Sequence, residues 1–251
     1  MIAKPEQYAD LRAAGKKMAE LMRAVRALAK PGVSSWALEE AARTVTAKLG
    51  ARPSYLNYSE KGSKPYPAAL CVSINNEIAH SPPRPDKMLK EGDVVSVDFG
   101  LEYQGLYMDA AFTVALGSAD ASAQNLLKGT EEALGAGIAQ AQVGGMTGDI
   151  GAAVSAVAKR HKLGVVAELR GHGVGGAVHE LPYIDNVGQS GHGEELKEGL
   201  VIAIEPIFAE KSGAMIDAGD GHTYVTKDGS RAAHFEHTVL LTPDGPEILT
   251  Q

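Results

Sequence analysis

The chain reads as a mixed α/β (α+β) domain folded from two related halves, and three observations predict it. Helical and strand-like stretches alternate along its 251 residues, with no run that reads as a flexible linker. Leu89-Lys-Glu-Gly-Asp-Val-Val-Ser-Val-Asp98 is echoed position for position by Leu196-Lys-Glu-Gly-Leu-Val-Ile-Ala-Ile-Glu205. Pro31-Gly-Val-Ser34 and the helical stretch to Lys48 are echoed by Gly144-Gly-Met-Thr147 and the stretch to Lys159. Both echoes span about 110 residues, too long a period for a solenoid. One domain, 1–251, made of halves near 1–117 and 118–251 with a site at their interface, is the expected organisation.

Apolar residues at Tyr8, Leu11, Met18, Leu21, Met22, Val25 and Leu28 line one face of a 3.6-residue period, a first helix ended by Lys30-Pro-Gly32. Ser34 or Ser35 can cap a second helix, which turns Leu38, Ala42, Val45 and Leu49 inward and stops at Gly50. Residues 69–76 read as a strand carrying Cys71 among apolar neighbours. Residues 93–100 and 106–115 read as a hairpin closed by the four residues Glu102-Tyr-Gln-Gly105, which sets Asp98 directly opposite Asp109. Opposed residues have Cβ atoms about 5 Å apart, where like charges destabilise a sheet. A positive charge, a divalent metal above all, is therefore expected between them. Ala119 to about Gln142 and Thr147 to about Arg160 read as two more helices, with Thr147 as the N-cap of the second. Strands at 200–208, 222–226 and 235–242 complete the chain.

Composition narrows the function classes. Lys plus Arg number 24 against 31 Asp plus Glu, a net charge of −7 with no basic patch, which weighs against a nucleic-acid ligand. The single cysteine, Cys71, excludes an intramolecular disulfide and a multi-thiolate zinc site and points to a reducing compartment. The first residues lack a basic stretch followed by an apolar one, and no run of apolar residues is long enough for a membrane span. A cytoplasmic protein without a membrane partner is expected.

Four further segments carry chemistry. Gly171-His172-Gly-Val-Gly175 places an imidazole in a tight, glycine-rich bend, and His179-Glu-Leu-Pro182 follows it. Ile202-Ala-Ile-Glu205-Pro206 and His234-Phe-Glu236-His237 each put a carboxylate into an apolar run, where burial is expensive without a partner. Asp98, Asp109, His172, Glu205 and Glu236 together offer four carboxylates and one imidazole. That donor mix suits two Mn, Fe, Co or Zn ions about 3.5–4 Å apart, and two dications balance the four negative charges. Calcium rarely takes an imidazole, and a His-His-carboxylate iron site would leave three carboxylates unexplained.

Over essentially its whole length the sequence resembles the type I methionine aminopeptidases of the creatinase-like metallopeptidases. The motifs that carry the resemblance are Ser73-Ile-Asn-Asn-Glu-Ile-Ala-His80, Val97-Asp98-Phe with Met108-Asp109, Gly171-His172-Gly-Val-Gly with His179-Glu-Leu-Pro, Ile204-Glu205-Pro, and Phe235-Glu236-His237-Thr. The resemblance implies the duplicated pita-bread fold, with a curved antiparallel sheet and helices outside. It also implies a dinuclear site held by Asp98, Asp109, His172, Glu205 and Glu236, and a reaction that releases the N-terminal methionine of nascent chains. His80 and His179 are then substrate contacts and not ligands, with Glu205 placed to take a proton from an activated water. Tyr58, Tyr66 and Cys71 fit the family's methionine pocket, where rings and a thiol suit a polarizable thioether.

Two pocket positions depart from the family pattern: His222 stands where tryptophan is usual, and Val178 where a larger apolar residue is common. Tyr55 occupies a variable pocket position. The short interval from Glu205 to Glu236 fits type I; a monomer is the expected working form, with the ribosome a candidate partner by the resemblance. A proline-directed peptidase of the same superfamily is the first alternative. Glu168, where such enzymes carry an extra histidine, and the absence of a separate N-terminal domain weigh against it. A non-catalytic binding relative is the second, opposed by retention of all five ligand types and both histidines.

Overall fold

The computed structural model describes residues 1–59 and 64–251. The first half contains α1 (Tyr8–Leu28), α2 (Ser35–Lys48), β1 (Arg52–Pro53), β2 (Leu70–Ile74), β3 (Glu77–Ala79), β4 (Val94–Tyr103) and β5 (Leu106–Ala115). The second begins with α3 (Ala121–Gln140), α4 (Thr147–His161), β6 (Gly164–Val165), β7 (Gly171–Gly173) and β8 (Glu180–Ile184). It ends with β9 (Val201–Ile204), β10 (Ile207–Ala209), β11 (Met215–Asp217), β12 (Tyr224–Thr226), β13 (Ala232–His234), β14 (Glu236–Thr242) and β15 (Gly245–Ile248).

Nine of the described strands form one sheet in the order β1-β4-β5-β14-β9-β7-β8, with β2 added on β4 and β15 on β14. Its pairings are antiparallel. Outward from the contact of β5 with β14, the order runs β4 then β2 on one side and β9 then β7 on the other. The echoed segments thus occupy matching places, since one echo ends in β4 and the other in β9. Helices α1 and α2 press Leu11, Met18, Leu21 and Leu38 onto Leu70, Val95, Val97 and Phe99. Helices α3 and α4 press Leu126, Ile138, Ile150 and Val154 onto Ile202, Ile204 and Val239. Each such side chain contributes about 1.5–3 kcal/mol by leaving water. Side chains alternate along a strand, so turning Val95, Val97 and Phe99 toward the helices turns Ser96 and Asp98 to the opposite face.

The hairpin register differs from the sequence expectation. Tyr103 pairs with Leu106, so the turn is the two-residue Gln104-Gly105, with φ of 53° and 80°. Two central residues with positive φ make the turn whose twist matches that of the strands it joins. The shortened turn sets Asp98 opposite Ala111 and Asp109 opposite Gly100. The two aspartates are therefore diagonal neighbours on one face rather than directly opposed, about 7 Å apart by strand geometry.

Two other expectations are corrected. Thr147 is the first residue of α4 and not its cap: Met146 takes the cap position, its amide donating to Asp149 Oδ2 at 2.8 Å, while the Thr147 hydroxyl accepts from Glu194 N at 3.1 Å. The run 200–208 is two strands, because Pro206 has no N–H to extend a ladder. β9 stays in the large sheet and β10 enters a small one with β13 and β6. The chain makes the reverse crossing at Phe235, between β13 and β14. Glu205 and Glu236 thus sit at the two places where the chain passes between sheets.

Candidate metal centre and adjoining pocket

Ala111 pairs with Asp98 on one side and with Glu236 on the other, so two carboxylates share one row across three strands with only a methyl group between them. Asp109 lies diagonal to that row, its amide donating to Thr238 Oγ1 at 2.9 Å and its carbonyl accepting from the same hydroxyl at 2.8 Å. His172, at the centre of β7, pairs with Ala203 of β9. Gly171 allows that approach: a Cβ there would lie 2.2 Å from the Ala203 carbonyl oxygen. Glu205 follows β9 directly and completes the ring of acidic groups.

Asp109, His172 and Glu236 each bring one donor atom within 4.8 Å of the other two. His172 Nε2 stands 3.8 Å from Asp109 Oδ2 and 3.7 Å from Glu205 Oε1. Its Nδ1 lies 2.9 Å from the Gly173 carbonyl, which accepts the ring proton and leaves the Nε2 lone pair facing the acids. Asp98, Asp109, His172 and Glu236 are all buried. Burial, opposed by hydrogen bonds from Tyr55 and Cys71, pushes the Asp98 carboxyl up to about 7. Burial, then the charge of Asp98, raises Asp109 well above the ordinary carboxylate range. Burial and the neighbouring acids do the same to Glu205 and Glu236. Burial, followed by the nearby His179, lowers His172 to about 3, so its imidazole is neutral. Four carboxyls pressed together away from water favour their neutral forms, and a divalent ion set among them reverses that preference. With a neutral imidazole beside them, these donors fit a metal.

The five expected ligands line one cavity of about 260 Å³, together with His80 and His179. A second cavity of about 240 Å³ opens beside it, lined by Tyr58, Tyr66, Cys71 and His222 among others, with Tyr55, His80 and His179 common to both. All the residues expected at the site except Val178 are therefore found around two adjoining spaces. Tyr58 Oη lies 2.9 Å from His179 Nδ1, with the rings edge-on at 5.3 Å. His179 stands edge-on to His172 at 4.4 Å. His80, the residue directly after β3, has a left-handed backbone, φ 56°. His222 meets Tyr66 edge-on at 5.5 Å. Val178 is buried and lines neither cavity.

Two residues at the site go beyond the sequence expectation. The Tyr55 hydroxyl lies 2.9 Å from Asp98 Oδ1 and 2.5 Å from Asp109 Oδ1, spanning both acids. Its place as a pocket residue is legible, but its reach to the acids depends on Gly100, where a Cβ would meet Tyr55 Cε1 at 2.5 Å. His234 lines the metal cavity as well. The signal that marks Glu236, a polar side chain in an apolar run, also marks His234, two residues earlier and on the same side of the chain.

A family model for metallopeptidase family M24 matches residues 9–243. The methionine aminopeptidase of Aquifex aeolicus is 46% identical over 246 residues, covering 96% of this chain and 95% of that one. Methionine aminopeptidase 1 of Mycobacterium tuberculosis is 41% identical over 244 residues, covering 95% and 90%. Among solved structures, the methionine aminopeptidase of Thermotoga maritima superposes with a TM-score of 0.95 at 39% identity, over 100% of this chain and 99% of the other. The prolidase of Pyrococcus furiosus, at 20% identity and TM-score 0.77, covers 100% of this chain with 65% of its own and shares the fold.

Proposed function

The chain belongs to metallopeptidase family M24 and is a metal-dependent methionine aminopeptidase, and from that premise we propose that Asp98, Asp109, His172, Glu205 and Glu236 hold two divalent ions. The observation that carries this reading is the gathering of four carboxylates, three of them buried, and a neutral imidazole around one cavity that opens into a ring-and-thiol pocket. When bound, the ions supply Lewis acidity and a water acidic enough to attack a peptide carbonyl near neutral pH. Glu205, on the wall of that cavity, would accept a proton from the attacking water and hand it to the departing amine. His179 is aimed by its Nδ1 contact with the Tyr58 hydroxyl, so that its Nε2 can hydrogen-bond the carbonyl oxygen as charge develops there. His80, on the wall shared by both cavities, hydrogen-bonds beside the scissile amide. Tyr58, Tyr66, Cys71 and His222 receive the methionine side chain, the rings and sulfur meeting the thioether.

The ions are Co, Mn, Fe or Zn, the set favoured by a mixture of carboxylate oxygens and imidazole nitrogen. The physiological substrates are N-terminal methionines of nascent chains, met in the cytoplasm by a monomer, with any contact to the ribosome transient. No described helix is long and apolar enough to cross a membrane. The single domain of two halves, near 1–117 and 118–251, is supported by the matching places of β4 and β9 in the sheet. The test is release of free amino acid from Met-Ala-Ser and Ala-Pro-Ala peptides by chelator-stripped protein with each metal restored in turn. Metal-dependent release of methionine from the first peptide alone is expected. Cleavage of only the proline peptide would move the chain to the proline-directed branch, and silence on both with metal bound would point to a binding protein.

A further inference from the structure

His234 closes β13 at the point where the chain crosses from the small sheet into the large one. Its backbone is clamped: the amide donates to Thr113 Oγ1 at 2.9 Å and the carbonyl accepts from the same hydroxyl at 2.7 Å. The residue is 3% exposed, and its Nε2 is buried without a hydrogen-bond partner among the described residues. That atom stands 3.6 Å from Glu205 Oε2 and 3.7 Å from Glu236 Oε2. A ring nitrogen so placed would be expected to hydrogen-bond a carboxylate at about 2.7–3.2 Å. Leaving it unpaired costs about 1–3 kcal/mol, and an orphaned buried nitrogen facing two carboxylates marks a missing ion or water.

The spacing has a simple geometric meaning. Two donor atoms each about 2.1 Å from one ion, at a tetrahedral angle, are about 3.4 Å apart. The Nε2 atoms of His172 and His234 stand slightly beyond that from their acids, at 3.7 and 3.8 Å for His172 and at 3.6 and 3.7 Å for His234. Glu205 lies between the two imidazoles, Oε1 facing His172 and Oε2 facing His234. His234 therefore stands to Glu205 and Glu236 as His172 stands to Glu205 and Asp109.

We propose that His234 is a sixth protein ligand of the metal centre, a second imidazole that gives Nε2 to the ion shared by Glu205 and Glu236. The inference rests on the metal reading above and adds a nitrogen donor to the set of five. A second imidazole biases the centre toward Zn, Co and Fe and away from Mn, which prefers oxygen.

The test is paramagnetic proton NMR of the full chain loaded with Co(II), where each coordinated imidazole contributes its own strongly shifted, exchangeable ring N–H signal. Two such signals are expected in the parent protein and one in His234→Gln. Calorimetry of metal binding to His234→Gln should show at least a tenfold loss of Co(II) or Zn(II) affinity at one site and a smaller loss for Mn(II). A parent protein that takes up Co(II) and shows one imidazole signal overturns the proposal and leaves the metal reading standing. A parent that takes up no Co(II) overturns the metal reading itself, and this proposal with it. Equal affinities in parent and His234→Gln, with the variant folded by circular dichroism, also reject the ligand role.

Discussion

Asp109 is tied on every side: Tyr55 donates to Oδ1, His172 faces Oδ2, and its amide and carbonyl are both held by the Thr238 hydroxyl. Asparagine there keeps the shape and the backbone bonds but removes the charge. Asp109→Asn should lower bound metal per chain and reduce turnover to background, and metal analysis beside the peptide assay checks both. Unchanged metal content with normal turnover would reject the dinuclear reading. His222 bears on specificity. Its Nε2 is buried without a hydrogen-bond partner among the described residues, in the wall of the pocket beside the acidic cavity. His222→Trp replaces that polar ring with apolar surface and should raise the preference for Met-Ala-Ser over Leu-Ala-Ser about tenfold in kcat/KM, the scale on which apolar pockets discriminate. An unchanged ratio would place His222 outside the substrate-contacting wall. The acidic residues are legible in the sequence because a charge inside an apolar strand has no bland explanation. Tyr55 and His234 are harder to read, because a tyrosine or histidine is common in half-buried positions and only the fold shows what each one touches.

At the level of elements, helix periodicity survives the comparison, and α1 to α4 lie within a few residues of where apolar spacing places them. The hairpin register does not, because one choice of turn length moves every pairing and strand periodicity alone cannot select it. Strands of two or three residues, such as β3, β6 and β13, carry too little pattern to be seen. The breaks after Ile204 and His234 are only half legible: Pro206 announces the first, and nothing announces the second. The contact of β7 with β9 offers an element-scale prediction. Gly171→Ala would drive a methyl group into the Ala203 carbonyl oxygen, and backbone cannot yield as a flexible side chain can. Overpacking of this kind costs about 1–3 kcal/mol, and here it also displaces His172. Urea denaturation should show the loss, and calorimetry should show weakened metal binding. A variant with parental stability and metal affinity would mean that β7 need not pack so closely.

For the whole molecule, the acids and histidines set opposite dependences of stability on pH. Asp98, Asp109, Glu205 and Glu236 hold protons in the folded state that the unfolded chain has released above about pH 4. Stability from these groups therefore falls as pH rises, by about 1.4 kcal/mol per pH unit for each carboxyl still protonated. His172 and His234, lowered to about 3, and His237, lowered to about 4, stay neutral when folded, so their contribution is lost as pH falls below the ordinary imidazole value. Between about pH 4 and 6.5 the two sets oppose each other; above 6.5 only the acids remain. Metal-stripped protein should lose thermal stability from pH 6.5 to 8 while metal-loaded protein holds it. Parallel melting curves for the two forms would contradict this balance.

Within the large sheet, the ladder that joins the two halves is short, although β3 with β12 and a shared apolar core also tie them together. β5 and β14 share only the pairs Glu236 with Ala111 and His237 with Ala110, whereas β4 and β5 pair along their full length. The proposed metal donors come from both banks, Asp98 and Asp109 from one and His172, Glu205 and Glu236 from the other. An ion bound there works as a rivet, its coordination bonds doing what a longer ladder would otherwise do. Amide hydrogens along β14 at the seam should exchange with deuterated solvent much faster when metal is withdrawn, while those inside the β4–β5 hairpin stay protected. A bound ion would then also stiffen the short row where β5 meets β14.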